Sequence, residues 1–141
     1  MKIIIGAQPN IFGFELKETE PIHSGYLTFS VSLSAHGLTG NHEDIQYSVA
    51  ALNDFIDELT NLEATRQGEA NLLHASHVTE HCPCRLKIFS LNRLGHMAIH
   101  AELLKTNSHP IQHTSKVTGV FEFEPGSLAS ILEDFQQLRS L

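Results

Sequence analysis

Residues 26–36 have the sequence YLTFSVSLSAH, and this stretch decides the fold class. Apolar and polar side chains alternate strictly along it. The apolar set is Leu27, Phe29, Val31, Leu33 and Ala35. Because successive side chains of a strand point to opposite faces, the alternation predicts a strand with one buried face and one wet face. Such a strand is typical of antiparallel sheets, since parallel strands are usually buried on both faces.

Further short alternating or apolar runs predict the remaining strands. They lie at 2–5, 12–18, 69–75, 85–91, 96–104 and 115–124. The runs at 85–91 and 96–104 predict a hairpin around the turn at 92–95. Residues 37–44 are rich in polar residues and glycine, so we expect a turn and loop there. The sequence shows no internal repeat.

Two segments have the 3.6-residue period of amphipathic helices, at about 48–62 and about 127–140. The apolar stripes are Val49, Leu52, Phe55, Ile56, Leu59 and Leu62 in the first, and Leu128, Ile131, Leu132, Phe135, Leu138 and Leu141 in the second. Ser48 and Ser127 are the predicted N-caps. Because helices and strands do not alternate strictly, we predict an α+β fold rather than a doubly wound one. It comprises one domain over residues 1–141, with an antiparallel sheet of about six strands packed against the two helices.

The composition favours a globular protein whose surface is acidic. The chain has 141 residues, 41% of them hydrophobic, and a formal net charge of −7. Its nine lysines and arginines are scattered, so no basic patch favours binding to nucleic acid. An acidic surface suits a basic protein partner, because complementary charge speeds encounter, although it also simply favours solubility.

The cysteines and the apolar runs indicate the cellular compartment of the protein. Only Pro83 separates Cys82 from Cys84, and a disulfide across one residue is strained and closes almost no loop. We therefore expect free thiols in a reducing compartment. The apolar run at 3–5 is too short for a signal peptide, and no apolar stretch approaches the ~18 residues of a membrane span. The expected location is the cytoplasm, with no membrane partner and with a homodimer as one option.

Ten histidines are the most unusual feature of the composition. The densest cluster supplies five candidate metal ligands: His74, His77, His81, Cys82 and Cys84. Zinc takes four such ligands in a tetrahedron, so a metal-binding module using three or four of these residues is one hypothesis. The spacing differs from the established finger patterns, and a Cys-x-Cys pair binds one metal awkwardly. A histidine-rich loop with two incidental thiols and no cofactor remains the alternative.

Five acidic residues are the candidate contacts for a protein partner. They are Glu43 and Asp44 in the predicted loop, and Asp54, Asp57 and Glu58 on the polar side of the first helix. The spacing i, i+3 and i+4 brings the three helical carboxylates close together. Such pairs can build acid–base or magnesium sites, or they can simply be solvated charge.

No catalytic motif is present in the sequence. It has no Gly-x-Ser-x-Gly elbow, no phosphate-binding glycine loop and no His-Glu-x-x-His helix. His96 and His100 share one face of a predicted strand but lie about 13 Å apart, which is too far for one metal. We assign no catalytic residue, and an enzyme of unfamiliar type, using a histidine of the strand face, stays an alternative.

Three segments carry a resemblance to a known family. They are Val49-x2-Leu52-x2-Phe55-Ile56-x2-Leu59, Leu94-Gly95-His96-Met97-x-Ile99-x-Ala101-x-Leu103, and Phe121-x-Phe123-x4-Leu128-x2-Ile131-Leu132-x2-Phe135-x2-Leu138. Over residues 12–141 the chain resembles the WapI-type immunity proteins and their small, mostly uncharacterised bacterial relatives, although it lacks the tryptophans expected there. The resemblance implies a non-catalytic protein that binds and occludes a cognate toxin, and it supplies no catalytic residues.

Overall fold

The computed structural model describes residues 1–18, 25–73, 83–107, 111 and 113–140. Over these ranges the chain forms β1 (Lys2–Ala7), β2 (Asn10–Glu18), β3 (Tyr26–Ala35), β4 (Leu38–Ser48), α1 (Val49–Thr65), β5 (Glu69–Leu72), β6 (Cys84–Ser90), β7 (Met97–Asn107), β8 (His113–Phe123) and α2 (Leu128–Gln137). Short 3-10 turns at Pro125–Ser127 and Leu138–Ser140 flank α2. The predicted α+β class is confirmed.

The strands form two sheets, so the prediction of one sheet of about six strands is wrong. Both sheets have four antiparallel strands in sequence order, β1-β2-β3-β4 and β5-β6-β7-β8. The predicted loop at 37–44 is also wrong, because most of it belongs to β4. Its alternation is obscured for two reasons: β4 is an edge strand with a mostly polar sequence, and a bulge shifts its register against β3 between Phe29 and Val31.

The topology repeats although the sequence does not. Each half of the chain is a four-stranded meander followed directly by a helix. Helix α1 packs on β5, the first strand of the second sheet, and α2 packs on β1, the first strand of the first sheet. Likewise β3 contacts β8 and β4 contacts β7. Exchanging each element of the first half for its equivalent in the second half reproduces these contacts. The two halves are therefore related by an approximate twofold symmetry of topology.

One buried apolar cluster contains residues from both sheets and both helices. Phe14 stacks on Phe29 with 4.1 Å between ring centroids. Phe135 of α2 lies 5.6 Å from Phe14 and 5.0 Å from Phe55 of α1. The apolar face predicted for residues 27–35 is confirmed, since none of its five side chains is more than 4% exposed.

The helices begin and end for local reasons. The Ser48 hydroxyl accepts a hydrogen bond of 3.0 Å from the Ala51 amide, so this predicted N-cap is confirmed. Ser127 does not cap α2 through its side chain, because its backbone is already helical and its hydroxyl donates to the Glu124 carbonyl. Val49, predicted in the apolar stripe, is 40% exposed. Within the described ranges, no helix has both the length and the apolar character needed to cross a membrane.

A buried hydrogen bond connects the two sheets. The Tyr47 hydroxyl of β4 donates to the Cys84 carbonyl of β6 at 2.7 Å. We expect Tyr47→Phe to lower the free energy of unfolding by about 1–2 kcal/mol, because a buried hydrogen bond is lost while the ring stays packed. Urea unfolding followed by circular dichroism measures the change. Leu94→Ala, at a residue that is 82% exposed, is the control, and equal midpoints for the two variants would contradict the prediction.

Candidate functional site

A tight reversal after α1 brings β5 alongside that helix. Arg66 takes a left-handed backbone conformation with φ of 57°, and its amide donates to the Leu62 carbonyl at 2.8 Å, which ends the helix. Gly68 follows with φ of 99°, a conformation that residues with a side chain adopt at a cost. The chain therefore returns along α1 as β5, an edge strand of the second sheet.

The space between α1 and β5 is an open acidic groove of about 690 Å³. Its lining consists of Ala51, Asp54, Asp57, Glu58, Asn71 and Leu73. The three carboxylates lie at i, i+3 and i+4 on one side of α1, as the sequence spacing predicted. Leu73 is 51% exposed and adds an apolar surface beside them. We refer to these six residues as the acidic groove.

The three carboxylates of the acidic groove have different partners. Glu58 accepts a hydrogen bond of 3.1 Å from the Asn71 amide, which satisfies a backbone donor of the edge strand β5. Asp57 forms an ion pair with Arg139, and the same guanidinium donates to the Asn53 carbonyl at 3.0 Å. Asp54 has neither an ion pair nor a hydrogen bond with any residue in the described ranges. Two of the three negative charges are therefore not balanced by a described cation.

Glu43 and Asp44 lie apart from the acidic groove. The prediction that they belong to a loop is wrong, because both are exposed residues of β4. Asp44 forms an ion pair of 3.4 Å with Lys17 of β2, and neither acid lines the groove. The structure therefore gathers the three helical acids and places the other two elsewhere.

Only one of the five predicted metal ligands, Cys84, is among the residues that the structure describes. His74, His77, His81 and Cys82 lie outside the described residues. Cys84 opens β6, and its side chain is fully buried in the apolar cluster. Among the residues that the structure describes, no three His, Cys, Asp or Glu are grouped so that they could hold a metal ion. Zinc binding by the cluster stays a prediction.

Neither a protein-family model nor a curated protein matches this sequence.

A second, smaller groove adjoins the first. It has a volume of about 200 Å³ and is lined by Asn71, Leu73, Arg85, Leu86, Lys87, His100 and Glu102. Its charges are mixed: Lys87 pairs with Glu69 at 3.7 Å, and Glu102 pairs with Lys116 at 3.5 Å. Asn71 and Leu73 belong to both grooves, so these ion pairs lie at one end of the acidic groove.

The two strand-face histidines have ordinary surroundings. His100 is half-buried in the second groove, as expected for the polar side of β7. His96 is exposed, and its Nδ1 is 2.9 Å from the Asn92 side-chain nitrogen across the β6–β7 turn. This contact supports a turn-stabilising role for His96.

His42 is a residue that sequence reasoning missed. It is half-buried on β4, and its pKa is lowered from the ordinary value of 6.5 by burial and by the charge of Lys105, while Asp44 opposes the shift. No local pattern in the sequence indicates this shift, because Lys105 lies on β7, which belongs to the other sheet.

Proposed function

We propose that this chain is a small, non-catalytic binding protein of bacterial type that holds a basic protein partner in the acidic groove. In line with the family resemblance, we propose that the partner is a toxin domain that the chain occludes, as immunity proteins do. The observation that supports this proposal is the gathering of Asp54, Asp57 and Glu58 beside the exposed Leu73. Charge and apolar surface thus lie in one groove.

The chemistry of the groove suits lysine and arginine side chains. Carboxylates form strong, charge-assisted hydrogen bonds with a guanidinium. Asp57 already makes such a contact with Arg139, which illustrates what an arginine of a partner would meet. The unbalanced charges of Asp54 and Glu58 would attract a basic surface over about 8–10 Å at moderate salt.

Charge and apolar contact have different consequences for binding. Complementary charges at a rim mainly raise the association rate, whereas buried apolar anchors set the residence time. Leu73 is the apolar anchor that the acidic groove offers. Since a stable interface buries roughly 800 Å² on each partner, the partner would also cover the second groove with its ion pairs.

Binding to the product of a neighbouring toxin gene tests this proposal. We expect the triple substitution Asp54→Asn, Asp57→Asn and Glu58→Gln to weaken binding about 10- to 100-fold, mostly through slower association. Glutamine at 58 retains an acceptor for the Asn71 amide. Biolayer interferometry at about 50 mM and about 300 mM salt measures both rates, and the wild type should lose affinity at the higher salt.

The matched control removes the same amount of charge from other surfaces. Glu15→Gln, Glu122→Gln and Glu133→Gln change three exposed acids on β2, β8 and α2, and affinity should stay within about twofold of the wild type. Equal weakening by both triple variants would show that net charge matters and the groove does not. Failure of every neighbouring gene product to bind would contradict the proposed immunity role.

A further inference from the structure

His42 lies beside an irregularity in the pairing of β3 with β4. Strand β4 pairs with β3 at His42 opposite Val31, and the pairing resumes at Ile45 opposite Phe29. Two residues of β4, Glu43 and Asp44, therefore face one residue of β3, which defines a β-bulge. Strand β4 also contacts β7 of the other sheet, and Lys105 of β7 acts electrostatically on His42.

A hydrogen bond inside the bulge depends on the charge state of His42. The Asp44 amide donates to Nδ1 of the His42 ring at 3.2 Å. Only a neutral ring has a lone pair on Nδ1, because both nitrogens of an imidazolium are donors. The folded bulge thus selects the neutral ring, with its proton on Nε2.

The charges around the ring act against protonation. Lys105 of β7 lowers the pKa of the ring, and on the strand of His42 itself Asp44 raises it. The Asp44 carboxylate also pairs with Lys17 of β2 at 3.4 Å. A protonated ring would therefore be repelled by the charge of Lys105, which belongs to the other sheet. The carboxylate of Asp44 offsets this repulsion only in part, because burial and Lys105 together outweigh it.

We propose that His42 is an acid-sensitive clasp of the bulge in β4. The neutral ring holds the bulge closed, and protonation removes its acceptor for the Asp44 amide and sets two cations against each other. The bulge then opens. Because Glu43 and Asp44 form the bulge, acidification would also change the positions of these two exposed side chains.

The sign of the pH dependence follows from linkage. The pKa of His42 is lower in the folded chain than its ordinary value of 6.5, so the unfolded chain binds the proton more readily. The contribution of the clasp to stability is complete above pH 6.5. It is lost as the pH falls from 6.5 through the folded pKa.

Nuclear magnetic resonance of the full-length chain tests the clasp. We expect the Asp44 amide resonance to titrate together with the His42 ring, with a midpoint below 6.5. Between about pH 7.5 and about pH 5, hydrogen-exchange protection of the Asp44 amide should fall roughly three- to tenfold, the effect of one lost hydrogen bond. The proposal would be overturned if the Asp44 amide resonance did not change while the His42 ring titrates. A His42 midpoint at or above 6.5 would also overturn it.

Two lysine variants separate the clasp from general acid effects. Lys105→Gln should raise the midpoint of His42, whereas Lys116→Gln, which removes an exposed lysine paired with Glu102, should leave it unchanged. His42→Gln should reduce the loss of thermal stability on acidification. If the His42→Gln variant does not fold, the two lysine variants still test the proposal. Equal His42 midpoints in Lys105→Gln and Lys116→Gln would refute the clasp.

Discussion

Replacing Phe135 by alanine is expected to lower the free energy of unfolding by about 3–5 kcal/mol, because a fully buried ring leaves a cavity. Phe135 contacts Phe14 of the first sheet and Phe55 of α1, so its ring joins both helices to a sheet. Urea unfolding monitored by circular dichroism measures the loss. The effect is a large part of the roughly 5–15 kcal/mol that domains of this size possess.

Two further variants make the Phe135 result interpretable. Phe135→Leu retains most of the apolar volume and should cost about 1–1.5 kcal/mol, which keeps the chain folded if the alanine variant is too unstable to study. Leu94→Ala changes a side chain that is 82% exposed and should lie within about 0.5 kcal/mol of the wild type. A Phe135→Ala variant as stable as the Leu94→Ala variant would contradict the packing of α2 onto the first sheet.

Gly119→Ala is expected to destabilise the fold by about 1–3 kcal/mol through overpacking between the sheets. A Cβ at Gly119 of β8 would lie 2.6 Å from the Ala35 Cβ of β3 and 3.2 Å from a methyl group of Leu33. The short Ala35 side chain cannot rotate away, so the backbones must separate. The backbone of Gly119 is otherwise compatible with alanine, so only the close approach of the sheets opposes the change. Thermal unfolding followed by circular dichroism reports the loss.

Removing the opposing methyl group should rescue the Gly119 variant. In a double-mutant cycle, Ala35→Gly combined with Gly119→Ala should recover about half or more of the stability lost by Gly119→Ala. Gly126→Ala, where a Cβ would make only an ordinary contact of 3.8 Å, is the matched control and should change stability little. A stable Gly119→Ala variant, or strictly additive effects with Ala35→Gly, would mean that β3 and β8 do not approach as described.

The elements that the sequence predicted well are those with a strong local period. The alternation at 26–36 became β3, and the stripe from Leu52 to Leu62 became the buried side of α1. The pairing of strands into two sheets could not be predicted, because the period of a strand does not depend on which sheet it joins. Strand β4 was missed because its polar edge and its bulge remove the alternation. The repeated topology was missed because the two halves share an order of elements and no visible sequence pattern.

The candidate site, like the fold, could be predicted only where spacing within one element determines it. Helical geometry alone brings Asp54, Asp57 and Glu58 together, so their grouping followed from spacing. Their position beside Leu73 depends on the reversal at Gly68, which sets β5 next to α1, and no local pattern encodes this. The separation of Glu43 and Asp44 from the other acids, and the burial of His42, both follow from the placement of β4. These features are contacts between distant parts of the chain.

Mapping a basic probe onto the chain tests the proposed groove most directly. The ¹⁵N-labelled protein would be titrated with a short peptide of alternating lysine and leucine while the backbone amide resonances are recorded. We predict shifts concentrated at residues 51–58 and 71–73, weakened at about 300 mM salt and abolished by the triple substitution at 54, 57 and 58. Shifts that lie on other surfaces, or that persist unchanged in the triple variant, would contradict the groove as the binding surface.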